Sequence, residues 1–183
     1  MNYFKHFMDV RLLVVCIVFL ITGCSSVMQK TTIVDHVDSN TAMINFVRPS
    51  IFLGDGLDYD LWDGDKFIGV LGSGTIVQYR TTPGSHVFMS KGRSWAYVKA
   101  DMAGGKQYFI KLNVLPFGGL ILSAIEAENN PKVKEWYTYQ PKELMAGKEE
   151  SYASDKKADA QKALKELLDG HADGYDLKPE NGI

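Results

Sequence analysis

Between residues 107 and 114, Tyr108, Ile110, Leu112 and Val114 alternate with Gln107, Lys111 and Asn113. A two-residue period sends the two sets to opposite faces of a strand, whereas a helix would smear them around its circumference. Leu57, Tyr59 and Leu61 alternate with Asp58 and Asp60 in the same way. Similar short runs at about 42–48, 67–71, 75–80, 86–91, 95–101 and 120–127 recur every roughly 8 to 12 residues. Asp63-Gly64, Pro83-Gly84, Gly92 and Gly104-Gly105 punctuate them with turn chemistry. The expected fold is therefore mainly β, an antiparallel β-sandwich of about eight short strands over residues 41–127.

The period changes near the C-terminus. Ala160, Ala163, Leu164, Leu167 and Leu168 recur at helical spacing with Lys and Glu opposite, which predicts an amphipathic helix over residues 155–169. Asp155 is the expected N-cap and Gly170 the expected exit. Asn130-Pro131 predicts a further helix start, with Val133, Trp136, Tyr137 and Leu144 covering one end of the sandwich. Residues 128–169 thus read as a helical extension, and 170–183, rich in Gly, Asp, Lys, Pro and Asn, as a frayed tail. Its apolar stripe is expected to dock on its own sandwich, with another protein as the alternative.

At the other end, Lys5, His6 and Arg11 precede an apolar run from Leu12 to Ile21 that closes on Thr22 and Gly23. That is the architecture of a secretory signal, and the run is too short to span a bilayer as a helix. The segment Leu20-Ile21-Thr22-Gly23-Cys24 resembles the lipobox of bacterial lipoproteins. The resemblance implies cleavage after residue 23, diacylglycerol on the Cys24 sulfur and membrane attachment through that lipid. Ser25 and Ser26 follow where an aspartate is absent, which resembles lipoproteins sent to the periplasmic face of the outer membrane in Gram-negative bacteria. Polar, aperiodic residues 24–40 read as a lipidated tether.

A second resemblance rests on Ala42-Met-Ile-Asn-Phe-Val-Arg-Pro-Ser50, Leu57-Asp-Tyr-Asp-Leu-Trp-Asp-Gly64, Phe67-Ile-Gly69, Thr82-Pro-Gly-Ser-His86 and Gly105-Lys-Gln-Tyr-Phe-Ile110. In that order they resemble a family of uncharacterised bacterial lipoproteins with a domain of unknown function, similar to the PEGA-type, prealbumin-like β-sandwich. The resemblance implies a tethered sandwich and carries no catalytic residues.

Composition limits the chemistry. A net charge of -2 gives no basic excess to neutralise a nucleic-acid backbone, and two cysteines cannot build a disulfide framework. His36, His86 and His171 fall in the tether, at a strand start and in the tail, with no partner indicated by spacing. No G-x-S-x-G, H-E-x-x-H or C-x-x-C motif is present, so no enzyme, metal or cofactor is expected. The acidic run Asp55, Asp58, Asp60, Asp63 and Asp65 fails calcium-loop grammar, because Trp62 and Asp63 stand where a fifth ligand and a glycine belong. It reads as a solvated strand face.

The remaining candidates are contacts. Trp62, Trp95 and Tyr97 form either an aromatic platform or part of the core, with Trp62 sharing a face with Asp58 and Asp60. Phe117 sits in a Pro- and Gly-broken apolar stretch that either packs or reaches toward a bilayer or a partner. The expected role is a non-catalytic, lipid-anchored envelope protein that engages another envelope protein. Recognition of peptidoglycan or another glycan is the alternative among binding modules, and an enzyme acting on cell-wall or lipid substrates is the alternative from another class.

Overall fold

The computed structural model describes residues 26–51 and 55–183, so the leader and Cys24 lie outside the described residues. The chain forms the mainly β sandwich that the alternation predicts. The strands are β1 (Met28–Lys30), β2 (Ala42–Arg48), β3 (Tyr59–Asp63), β4 (Lys66–Leu71), β5 (Thr75–Thr81) and β6 (Gly84–Lys91). β7 (Trp95–Met102), β8 (Gln107–Val114), β9 (Leu120–Ile125), β10 (Gln140–Leu144) and β11 (Tyr175–Leu177) follow. One sheet has the order β1-β10-β5-β2-β8-β9 and the other β11-β7-β6-β3-β4. Both are mixed. The parallel pairs are β2 with β8, β10 with β5 and β11 with β7.

Every residue of β2 is buried, because this central strand is covered on both faces. Ala42, Ile44 and Phe46 enter the core between the sheets, where Phe46 meets Phe88 edge-on at 5.4 Å. Val47 instead joins Ile76 and Phe109 beneath α1 (Pro131–Trp136), whose Val133 and Trp136 seal the outside of the six-stranded sheet. Each large apolar side chain so enclosed contributes on the order of 1.5–3 kcal/mol. As expected, Asn130 caps α1 by accepting from the Lys132 amide at 3.0 Å.

The outer face of the five-stranded sheet is covered by α2 (Glu149–Ala153) and α3 (Lys157–Leu168). Ala160, Ala163 and Leu167 face inward, so the amphipathic helix docks on its own sandwich. The left-handed exit falls at Gly170, with φ of 77°. Asp155 does not cap the helix, which starts after Lys156 without a side-chain cap.

Three sequence boundaries require correction. The first is the tether, whose described part belongs to the fold. Met28 pairs with Leu144 in an antiparallel ladder, and Val27, Met28 and Val37 are buried. Farther along, the Val34 amide donates to Gln78 Oε1 at 2.7 Å, and Gln78 Nε2 returns a bond to the Val34 carbonyl at 2.9 Å. Docking by side chain to backbone leaves no periodic trace, which is why this segment resembled a linker.

The second is the helical extension, which is interrupted by β10. This strand inserts between β1 and β5 although its sequence Gln-Pro-Lys-Glu-Leu carries no apolar alternation. The third is the tail. Tyr175 pairs with Val98, and Leu177 is buried. At the C-terminal end the Gln107 amide donates to the Ile183 carbonyl at 2.7 Å, and the Ile183 amide returns a bond at 3.0 Å. Leu57, expected on a dry strand face, precedes β3 and is exposed.

Candidate functional site

The outer face of the five-stranded sheet brings together four of the five contact candidates. Asp60 and Trp62 come from β3, Trp95 from β7, and Asp58 from the approach to β3. Alternation sends Leu61 between the sheets and Trp62 to the opposite face under the helices, and both bury because both faces of β3 are covered; the pairing with β4 shifts register between them. Trp62 is 1% exposed and meets Phe67 at 5.4 Å and Trp95 at 6.5 Å, both edge-on. Of the two readings of Trp62, packing is the one that holds.

Beside this aromatic layer lies a cavity of about 470 Å³, walled by Asp58, Asp60, Lys91, Trp95, Lys156 and Asp159 among others. Its charges engage each other. Asp60 accepts from Tyr152 Oη at 3.0 Å and from Lys156 Nζ at 2.8 Å, while Lys91 pairs with Asp159. Lys156 also lies 3.8 Å from the centre of the Tyr152 ring. Burial acts to lower the Lys156 pKa, but its bonds to Asp60 and Tyr152 outweigh that and leave it above the ordinary lysine value. Burial, opposed by the Lys156 bond and reinforced by the Asp60 charge, pushes Tyr152 up.

The rest of the acidic run is also distributed among local partners. Asp55 accepts from Ser73 and Ser50, and Asp65 from Gln161 at 2.9 Å. Asp63 receives the Tyr79 hydroxyl at 3.2 Å and lies 2.9 Å from His86 Nδ1. Among the described residues no group of three or more His, Cys, Asp or Glu is placed to hold a metal. His86, for which the sequence indicated no partner, is therefore paired. Its Nε2 lies 3.1 Å from the Thr82 carbonyl, and its ring stacks on Phe88 at 5.7 Å. With both nitrogens facing acceptors, the ring acts as a clamp between β6, β3 and the preceding turn.

Phe117, the fifth candidate, stands apart. It is 89% exposed, at φ 63° and ψ 23°, in the tight loop joining β8 to β9. Left-handed backbone at a residue other than glycine costs about 1–2 kcal/mol. The loop is pinned by Leu115 N–H to Gly119 O at 2.8 Å and by Arg93 N–H to Gly118 O at 2.7 Å. Gly92 permits this approach, since a Cβ there would lie 2.6 Å from the Gly118 oxygen and 2.6 Å from Leu120 Cγ. Next to the loop, Trp95, Tyr97, Leu120, Leu122, Asp173 and Tyr175 wall a second, largely apolar slot of about 290 Å³.

The strand registers place this loop far from the chain entry. Lys30 faces Lys142, Lys142 faces Val77, Val77 faces Phe46 and Phe46 faces Ile110. Lys30 and Ile110 thus share a rung, four strand spacings or roughly 19 Å apart. From that rung the chain runs back through β1 toward Ser26, while β8 runs the other way into the Phe117 loop. Met28 and Phe117 occupy diagonally opposite corners of the sheet.

Sequence reasoning missed Lys91, Tyr152, Lys156 and Asp159 in the cavity and Arg93, Asp173 and Tyr175 near the loop. Polar residues on a helix face or in a turn carry no spacing signal for contacts made so far away in sequence. No protein-family model, curated protein or solved structure matches the chain.

Proposed function

We propose that this chain is a lipid-anchored lipoprotein of the cell envelope, acylated at Cys24, whose sandwich is a non-catalytic protein-interaction module. In a Gram-negative source it would occupy the periplasmic face of the outer membrane. One observation carries the interaction reading: Phe117 is held almost fully in solvent, in costly backbone, on a loop pinned from two sides. A large aromatic presented rigidly has little conformational entropy left to lose on binding, the property of an interface anchor. The corner it occupies supports a protein partner over the bilayer. Only three residues lie between Cys24 and Met28, four residue steps or at most roughly 14 Å of chain, so the anchor holds the opposite corner near the membrane.

The large cavity supports a second reading, recognition of an envelope polysaccharide. It carries the Trp95 indole and the Asp58 carboxylate on its walls, a combination of aromatic and acceptor groups suited to a sugar ring.

Replacing the sulfur tests the anchor. Cys24→Ser is expected to leave the membrane fraction or to accumulate unprocessed, checked by fractionation and intact mass. Correctly cleaved, acylated protein from that variant would overturn the proposal.

A further inference from the structure

We infer that the partner of the Phe117 loop is a second copy of this chain, with each Phe117 ring seated in the other copy's apolar slot beside β7 and β9. This rests on the reading of the sandwich as an interaction module and names its partner. Two chemistries on the page fit each other. The knob is Phe117, 89% exposed, with Arg93 beside it through the bond of its amide to Gly118. The hole is walled by Trp95, Leu120, Leu122 and Tyr175, with Asp173 at its rim.

Size agrees. A dry cavity of about 150 Å³ lined by aliphatic and aromatic groups accommodates benzene, and the slot offers about 290 Å³. Charge agrees as well. Among the described residues neither the Arg93 guanidinium nor the Asp173 carboxylate has a hydrogen bond or ion pair within the chain, and both are exposed. Seating the ring brings the cation that flanks the knob toward the anion that flanks the hole.

Position makes the contact self-complementary. Leu120, a wall of the hole, follows Phe117 by three residues, and Trp95, another wall, follows Arg93 by two. With knob and hole adjacent on one edge, a single two-fold operation places both knobs in both holes and closes the assembly at two. The contact is small, and a lipid anchor that confines both copies to one surface raises their effective concentration enough for it to form.

The test uses the full chain in its native membranes, with p-benzoylphenylalanine at position 117. Irradiation is expected to yield a species of twice the chain mass, its crosslink mapping to 95–97, 120–122 or 173–175. Arg93→Glu and Asp173→Lys should each lower that yield roughly tenfold, and the double charge swap should restore it. Melting temperatures of the three variants should match the parent, since both side chains are exposed.

A crosslink from 117 to a different protein would overturn the second-copy inference while leaving the interaction reading intact. A crosslink to lipid, or none, would overturn both. Failure of the double swap to rescue would also overturn the inference. Recovery of the chain in the membrane or the soluble fraction reports on the anchor separately.

Discussion

Replacing Trp62 with alanine tests whether the helices seal the outer face of the five-stranded sheet. The indole is 1% exposed and touches Phe67 and Trp95 edge-on, so truncation removes a fully enclosed ring and leaves a void roofed by α2. Buried Trp or Phe to Ala changes cost about 3–5 kcal/mol. Each lost edge-on pair accounts for about 0.5–1.5 kcal/mol beyond area alone. With a urea slope of about 2 kcal/mol per molar, a loss of about 4 kcal/mol moves the unfolding midpoint down by about 2 M. Trp62→Phe, which keeps a ring in the slot, should recover most of that. Equilibrium urea unfolding followed by circular dichroism measures all three proteins. A midpoint for Trp62→Ala within about 0.5 M of the parent would mean that the ring is not enclosed, and Trp62 would return as a ligand platform.

Burial, with a further contribution from the Asp35 charge, pushes the Tyr137 pKa up to about 12. The unfolded chain therefore loses this proton near pH 10 and the folded chain near 12, so folded stability falls as pH rises between those values. The melting temperature should drop across that window, and Tyr137→Phe should flatten the drop; an unchanged slope refutes the assignment. In Gly92→Ala the new methyl meets the Gly118 oxygen and Leu120 Cγ, each at 2.6 Å. Overpacking of this kind costs about 1–3 kcal/mol. Thermal unfolding should show that loss, together with a reduced crosslink yield from position 117, whereas parental values of both would mean that the loop is not braced there.

Where burial follows a two-residue period, the sequence reported the fold well. β2, β5, β7 and β8 fall within a residue of their expected limits because each presents at least one continuously apolar face to a layer. The same logic located α3, whose inward stripe of Ala160, Ala163 and Leu167 has helical spacing. It failed for β1, β10 and β11, which are short and add at sheet edges or between existing strands. Such strands are held by the ladder and by a few plugs such as Met28 and Leu177, and one buried residue makes no period. At the site, Asp58, Asp60 and Trp62 were legible as a group because alternation places them on one side of the β3 segment, while Trp95 was joined to Trp62 only as a second aromatic candidate. Their partners Tyr152 and Lys156 were not, since the ion pair Asp60–Lys156 joins elements that share no pattern.

Docking of α2 and α3 decides what surface remains for function. Without these helices, Trp62, Trp95, Tyr97, Asp58 and Asp60 would form a broad aromatic and anionic face. With them, Asp60 and Asp159 are committed to Lys156 and Lys91, and the most exposed aromatic among the described residues is Phe117 at its pinned corner. Under the proposed anchoring, geometry then constrains how two copies meet. Each chain enters at the Met28 corner and offers Phe117 from the corner diagonally across, so a two-fold axis through the Phe117 contact sets the anchors on either side of it. Both lipids can enter one leaflet only if that axis stands along the membrane normal. The pair then forms an arch, footed at the two Met28 corners and joined at the crown. Tilting the axis into the membrane plane would point the anchors in opposite directions and demand two facing bilayers.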